Sequence, residues 1–347
     1  MLAINTIEAA DAIEQLVFGQ NLALMLWGKP GGGKSSVTRT VAKRRGALLC
    51  DVRLGQRESI DLRGLPDIRG DITKYIKPGE LPFVGNDAFP DDVEILLFFD
   101  EINTAAPSVQ AAAYQAILER RVGEHKFKDN VRIMAAGNRE GDKGATQRMA
   151  TPLANRFIHA ELIEDVHAST LYAQENGWPQ EWVAFINMRK PLLSTFDPTK
   201  PDKAFATPRS WDVAMQVYAN DQATFRTKQI AIAGSVGEGP AAEFWAFVDT
   251  WQELATYLPA IRKDPEMVAL PPEFVKDKSK GMSLTYAITV ALSGELDKVN
   301  IANLHKFLTR LEPEYVILAW QLAINRDKAL RSTKEFLEFA KRYKAVF

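Results

Sequence analysis

Apolar residues follow two rhythms along this chain. In residues 6–18 they recur at helical spacing, at Ile7, Ala10, Ile13, Leu16 and Val17. Five other stretches run almost unbroken: "LALMLW" from Leu22, "ALLCDVRL" from Ala47, "EILLFFDE" from Glu94, "VRIMAAGN" from Val131 and "RFIHAELI" from Arg156. Short continuous runs of this kind suit strands covered on both faces. Helical patterns lie between them. "KSSVTRTVAKRR" ends on cations that complement the carbonyl end of a helix, and Pro107 suits the first turn of "APSVQAAAYQAILERR". Alternating strands and helices predict an α/β fold, with a parallel five-stranded sheet between helical layers.

The remaining segments are irregular or helical. Residues 54–92 are rich in Gly, Pro and Asp and too long for a simple connection, which predicts an elaborated insert with a hairpin. "VGEHKFKDN" predicts a second, charged hairpin. Beyond about residue 165 the strand pattern stops. Helices are predicted over 178–189, 207–220, 240–257, 283–293, 300–310, 313–326 and 332–346, separated by Pro-rich stretches at 191–208 and 264–277. The last helix carries Phe336, Ala340, Tyr343 and Phe347 on one apolar face, read as core packing by default, with a docking surface for a partner as the alternative.

The totals narrow the class. At 347 residues the chain is long enough for two domains or three, and 46% apolar with 25% charged residues excludes wholesale disorder. A net charge of -1 supplies no global field toward nucleic acid or an anionic membrane. The single cysteine, Cys50, forms no disulfide within the chain and reads as a buried strand thiol. The N-terminus lacks the basic start and apolar stretch of a signal peptide. The longest apolar runs fall far short of the roughly 20 residues a membrane helix needs. A soluble, cytoplasmic protein is expected. His125, His159, His167 and His305 show no metal-ligand spacing.

The chemistry begins where "LMLW" stops at Gly28. Gly28, Gly33, Lys34 and Ser35 satisfy G-x-x-x-x-G-K-[ST] between a strand and a helix. Glycines let the backbone wrap closely and turn consecutive N–H groups inward, and the helix start adds its own unpaired N–H groups. The expected nucleotide-binding residues are Gly28, Pro30, Gly31, Gly32, Gly33, Lys34, Ser35 and Ser36. Lys34 brings a point charge to the outer phosphates. The Ser35 hydroxyl suits Mg²⁺, a hard cation that prefers oxygen.

Asp100 and Glu101 end a buried run, at the strand edge where open α/β sheets bind ligands. Asp100 is expected to hold Mg²⁺ largely through water, and Glu101 to orient and deprotonate an attacking water. Asn138 ends the "IMAAGN" run. If its strand lies between those leading to Gly28 and Asp100, its amide is placed to hold that water. Cleaving the terminal phosphate develops charge that cations stabilise, and Arg156 in "LANRF" and Arg209 in "TPRSW" are the candidates.

The order "GKPGGGKS", "LLFFDEIN", "IMAAGN", "LANRF", "TPRSW" resembles an AAA+ ATPase. Together with "RESIDLRGLPDI" it is similar to the MoxR and dynein-related branch. The resemblance is strong over 20–165, weaker over 166–235, and absent over 240–347. It implies a nucleotide-binding core at 1–165, a helical lid at 166–238 and a helical extension at 239–347. It makes Gly28 to Ser35 the Walker A loop, Asp100 and Glu101 the Walker B pair, and Asn138 sensor 1. Arg156 resembles an arginine finger and Arg209 the sensor 2 arginine, acting in cis or in trans. Arg148, Arg139 and Arg121 are further candidates for a contact across a subunit interface. A finger implies a ring, usually a hexamer. In it, ATP hydrolysis would remodel or activate a client protein, and a partner with a von Willebrand factor A domain is expected from relatives.

Two features depart from threading motors of this class. The loop after the second strand, "LGQRESIDLRGLP", has no aromatic-glycine pair, which favours local remodelling over processive threading. Tyr75 and Phe83 in the insert either face a pore or anchor the hairpin to the core. Two other readings stay open. One is a nucleic-acid motor or restriction-type NTPase, favoured only by the basic tip at Lys126 and Lys128. The other is a nucleotide-gated adaptor with little turnover, against which Glu101 and Asn138 count.

Overall fold

The computed structural model describes residues 1–139, 141, 142, 149, 151–270, 278–296 and 301–343. Two compact units result: Met1–Asp165 with Asp197–Pro201, and Val166–Phe196 with Asp202–Phe347. Among the described residues no helix is long and apolar enough to cross a membrane.

The first unit is built on a six-stranded sheet of β1 (Leu2–Ile4), β2 (Leu24–Trp27), β3 (Leu48–Arg53), β6 (Ile95–Asp100), β9 (Val131–Gly137) and β10 (Ile158–Leu162). Their order is β1-β10-β2-β9-β6-β3, and every neighbouring pair is parallel. The sheet therefore has one strand more than the five continuous runs predict. The addition is β1, three residues of which only Ile4 is buried, paired through Leu2↔Ala160 to Ile4↔Leu162 at the edge. An edge strand that short carries no periodicity to read.

The unbroken runs have a direct physical reason. Every residue of β2 and β6 is buried, and alternate side chains enter different cores because strand side chains alternate faces. Met25, Leu97, Phe99, Ile133 and Ala135 join one cluster, with Val109, Ala112 and Ala116 of helix α4 (Pro107–Glu119). Leu24, Leu26, Leu96, Phe98, Met134 and Ala136 join the other, with Ile13, Val37 and Val41. Val37 and Val41 lie on helix α2 (Lys34–Arg45). Burying a side chain the size of Phe98 or Phe99 contributes roughly 1.5–3 kcal/mol. The pattern at 6–18 forms α1 (Thr6–Ala12), capped by Asn5, and continues as a π-helical turn at Ile13–Phe18.

Both predicted hairpins are present. The insert holds α3 (Ser59–Arg63) and the antiparallel pair β4 (Leu65–Asp67) and β5 (Lys74–Ile76). The charged hairpin pairs β7 (Arg121–Val122) with β8 (His125–Lys126). The two insert aromatics differ. Phe83 is 1% exposed and stacks on Phe127 at 4.7 Å, so it is an anchor, while Tyr75 is 44% exposed. Lys128 is not part of a basic tip: it is buried, bonds the Phe89 carbonyl and pairs with Asp91 at 2.9 Å.

Beyond α5 (Thr151–Ala154), the described elements of the second unit are helical: α6 (Val166–Glu175), α7 (Gln180–Met188), α8 (Pro208–Tyr218), α9 (Phe225–Val236), α10 (Glu238–Gln252), α11 (Leu254–Lys263), α12 (Lys278–Glu295), α13 (Ile301–Leu308), α14 (Pro313–Arg326) and α15 (Lys334–Arg342). α6 and α9 lie outside the predicted segments. Both bury few residues, Ala168, Thr170 and Ala173 of α6 and Ile232 and Val236 of α9, and α9 leaves Phe225 and Ile230 exposed, so neither shows a clean apolar stripe. Trp182 of α7, Trp211 of α8, Phe244 of α10, Leu284 of α12 and Trp320 of α14 belong to one core. Helices before and after residue 238 thus share their packing. On α15 the fully buried residue is Phe339, with Phe336, Ala340 and Tyr343 half-buried around it; Phe347 lies outside the described residues.

Candidate functional site

The loop between β2 and α2 is shaped by its glycines. Gly33 caps α2 with φ +96° and Gly31 has φ +76°, left-handed backbone that glycine adopts without a Cβ penalty. The helix start is thereby brought to the end of β2. Lys34 is 8% exposed, and its Nζ donates to Gly28 O at 2.7 Å, Lys29 O at 2.9 Å and Asn138 Oδ1 at 3.1 Å. Ser35 Oγ donates to Asp100 Oδ2 at 2.6 Å. Three stretches far apart in sequence therefore meet: the glycine loop with the start of α2, the end of β6 and the residue after β9. Sheet order explains why, since β9 lies between β2 and β6 and all three strands point the same way.

The turn after β6 is tightly held. Glu101 has φ +57°, uncommon for a residue with a side chain. Its N–H donates to Asp100 Oδ1 at 2.9 Å. Its carbonyl accepts from the Thr104 N–H and hydroxyl, both at 2.9 Å. Its carboxylate lies beside Gly55, where a Cβ would stand 3.2 Å from Glu101 Oε2. Ser35 and Asp100 present hard oxygens side by side, a donor set that fits Mg²⁺.

Sequence reasoning missed Asn103. It is 1% exposed, accepts from Asn138 N–H at 3.1 Å and donates through Nδ2 to Asn138 O at 2.8 Å. The only signal was a polar residue two positions past the acidic pair. It also missed the pairing of Lys29 with Glu164, at 3.9 Å beside the loop.

The arginines separate into groups. Arg139 pairs with Glu161 at 2.7 Å, and Arg121 Nε donates to Gly123 O at 2.7 Å, so both are engaged within the chain. Arg156 is exposed, just past α5. Arg209 is exposed in the first turn of α8, behind the Thr207 cap, and belongs to the second unit. Arg148 lies outside the described residues. Pro30 is half-buried, and Ser36 is exposed on α2.

Residues 24–163 match the family described as "ATPase family associated with various cellular activities (AAA)". No curated protein matches the chain. Among solved structures, a closed-state reconstruction of Hsp104 with ATPγS and FITC casein is 16% identical with a TM-score of 0.36, over 66% of this chain and 44% of that one. NtrX from Brucella abortus in complex with ADP is 14% identical with a TM-score of 0.35, over 98% of this chain and 68% of that one. The chain thus spans less than half the length of the Hsp104 chain it matches. The segment that holds the site lies within the stretch that matches this family of ATPases.

Proposed function

We propose that this chain is a Mg²⁺-dependent ATP hydrolase of the MoxR-like kind, working in a ring, with a hexamer as the expected form, to remodel or activate a client protein. One observation carries the reading. Lys34 Nζ reaches the loop carbonyls and Asn138 together, while its neighbour Ser35 meets Asp100. A cation, a hydroxyl-carboxylate pair and an amide thus converge at the edge of a parallel sheet, with Glu101 next in the chain.

Each group has a role in phosphoryl transfer to water. Backbone N–H groups of Gly31 to Ser35 and the start of α2 receive phosphate oxygens. Lys34 neutralises charge on the outer phosphates. Ser35 and Asp100 would hold Mg²⁺, which supplies positive charge to the phosphate oxygens. Glu101 accepts the proton of the attacking water and Asn138 orients that water. Arg156 is the cation offered to a neighbouring subunit, because it is exposed where Arg139 and Arg121 are engaged internally. Arg209 is proposed as a second phosphate-directed cation. With Lys128 buried and paired, only the exposed Lys126 remains of the basic tip that favoured a nucleic-acid motor.

The test is turnover together with particle imaging of wild type and Glu101→Gln in ATP and Mg²⁺. Wild type should release phosphate without any acceptor. The variant should retain ATP, release none, and form a closed ring with Arg156 beside the adjacent nucleotide. A monomer under these conditions, or Arg156 far from any triphosphate, would end the ring reading. Absence of ATP binding would end the enzymatic one.

A further inference from the structure

Asn103 sits in the 3-10 turn Ile102–Thr104, directly after the acidic pair. Its side chain meets the backbone of Asn138, taking the N–H on Oδ1 and giving Nδ2 to the carbonyl. A backbone N–H only donates and a carbonyl only accepts, so these partners fix which end of the amide is oxygen. The C=O and one N–H on the same side of this primary amide grip both backbone groups of Asn138 at once, which a trans peptide unit cannot do. The clamp satisfies the residue just past the end of β9, beyond the last β6–β9 pair at Phe99↔Ala135.

The fit leaves no slack. A Cβ on Gly137 would stand 2.6 Å from Asn103 Oδ1 and 2.8 Å from Met25 Cε, so the residue before Asn138 is a glycine by close approach. The neighbouring Thr104 holds the Glu101 carbonyl through its N–H and its hydroxyl. One three-residue turn therefore fastens both Glu101 and Asn138. The Asn138 side chain, with its backbone held on this side, reaches Lys34 Nζ at 3.1 Å.

We propose that Asn103 is a positioning residue for ATP hydrolysis: by clamping the Asn138 backbone it keeps the Asn138 amide aimed at Lys34 and in step with Glu101. The proposal rests on the hydrolytic reading above and adds a residue that acts through Asn138. Its alternative is a buried asparagine that satisfies backbone groups and contributes only to folding. The two differ in what they predict. A folding role lowers stability and leaves the turnover of folded protein alone. A positioning role lowers kcat and leaves ATP affinity alone, because the loop and Lys34 are untouched.

The test measures kcat, KM and ATP affinity, the last by calorimetry, for the full chain. The forms compared are wild type, Asn103→Ala, Asn103→Asp, Asn138→Ala and the Asn103→Ala/Asn138→Ala double variant. Displacement of a reacting geometry by about 1 Å costs on the order of 100-fold, so kcat of Asn103→Ala should fall about 10- to 100-fold with ATP affinity little changed. If Asn103 acts through Asn138, the double variant should be no slower than Asn138→Ala alone. Asn103→Asp fills the same space but turns an acceptor toward the Asn138 carbonyl, and it should lose turnover as well. Should the alanine variant fail to fold, the aspartate variant carries the test. Wild-type kcat in both Asn103 variants, losses that multiply in the double variant, or a loss of affinity matching the loss of turnover would overturn the proposal. A wild-type protein that neither binds nor hydrolyses ATP would overturn the hydrolytic reading itself, a result distinct from all of these.

Discussion

Ser35 Oγ donates to Asp100 Oδ2 at 2.6 Å, joining the first turn of α2 to the end of β6 across the width of β9. The bond spans 65 positions of sequence and exists because the sheet places β9 between β2 and β6. Removing either oxygen should cripple hydrolysis. Asp100→Asn and Ser35→Ala are each expected to lower phosphate release by about 100-fold or more, the scale seen when one electrostatic partner is lost from a reacting centre. Chelation of divalent cations should abolish release in wild type, and added Mg²⁺ should restore it.

Gly137→Ala tests the packing beneath Asn138. The added methyl would meet Asn103 Oδ1 and Met25 Cε inside ordinary contact distance. Overpacking of a tight core costs about 1–3 kcal/mol. Chemical denaturation should show a loss of that size in the first unit.

His159 ties β2 to the helix before Arg156. Trp27 Nε1 donates to His159 Nδ1 at 2.8 Å, so Nε2 carries the proton and donates to Ala154 O at 2.7 Å. His159→Phe keeps the ring and removes both partners. Leaving a buried donor or acceptor unpaired costs about 1–3 kcal/mol, so the first unit should be destabilised by at least one such increment. Denaturant titration followed by Trp fluorescence would read it.

The Cys50 thiol should be inert in the folded protein. Burial first, then the nearby Asp51 and Glu80 carboxylates, push it up to about 12, against the opposing pull of Arg57. Its Sγ donates to Glu80 O at 3.3 Å. Because the thiolate is the reactive species, a maleimide reagent at neutral pH should label native protein far more slowly than denatured protein. Equal rates would refute the burial of this strand.

The second unit should lose stability in mild acid. His305 is 9% exposed on α13 and packs edge-on to Trp320 at 5.6 Å. Burial lowers its folded-state pKa below the ordinary value of about 6.5; Glu338 and Glu335 oppose the shift and Arg342 adds to it. The folded state therefore binds fewer protons than the unfolded chain. Its contribution is fully present above pH 6.5 and declines as pH falls through that value toward the lower folded-state pKa. His305→Phe should flatten stability against pH between 7 and 5, as read by the denaturation midpoint.

The sequence by itself determined much of this protein. β2, β6 and β9 were legible because strands covered on both faces must be apolar at every position. The loop from Gly28 to Ser35 and the acidic pair at Asp100 were legible because their chemistry depends on adjacent residues. Tertiary structure decided what local pattern cannot carry. It placed β1 at the sheet edge, where three residues with one buried side chain leave no signal. It separated Phe83 from Tyr75, buried Lys128 against Asp91, and gathered helices on both sides of residue 238 into one core. It also joined Asn103 to Asn138 across 35 positions. The physical reason is common to all of these. A backbone rhythm is written in neighbouring residues, whereas the partner of a buried polar group is fixed only when distant strands have found their order in the sheet.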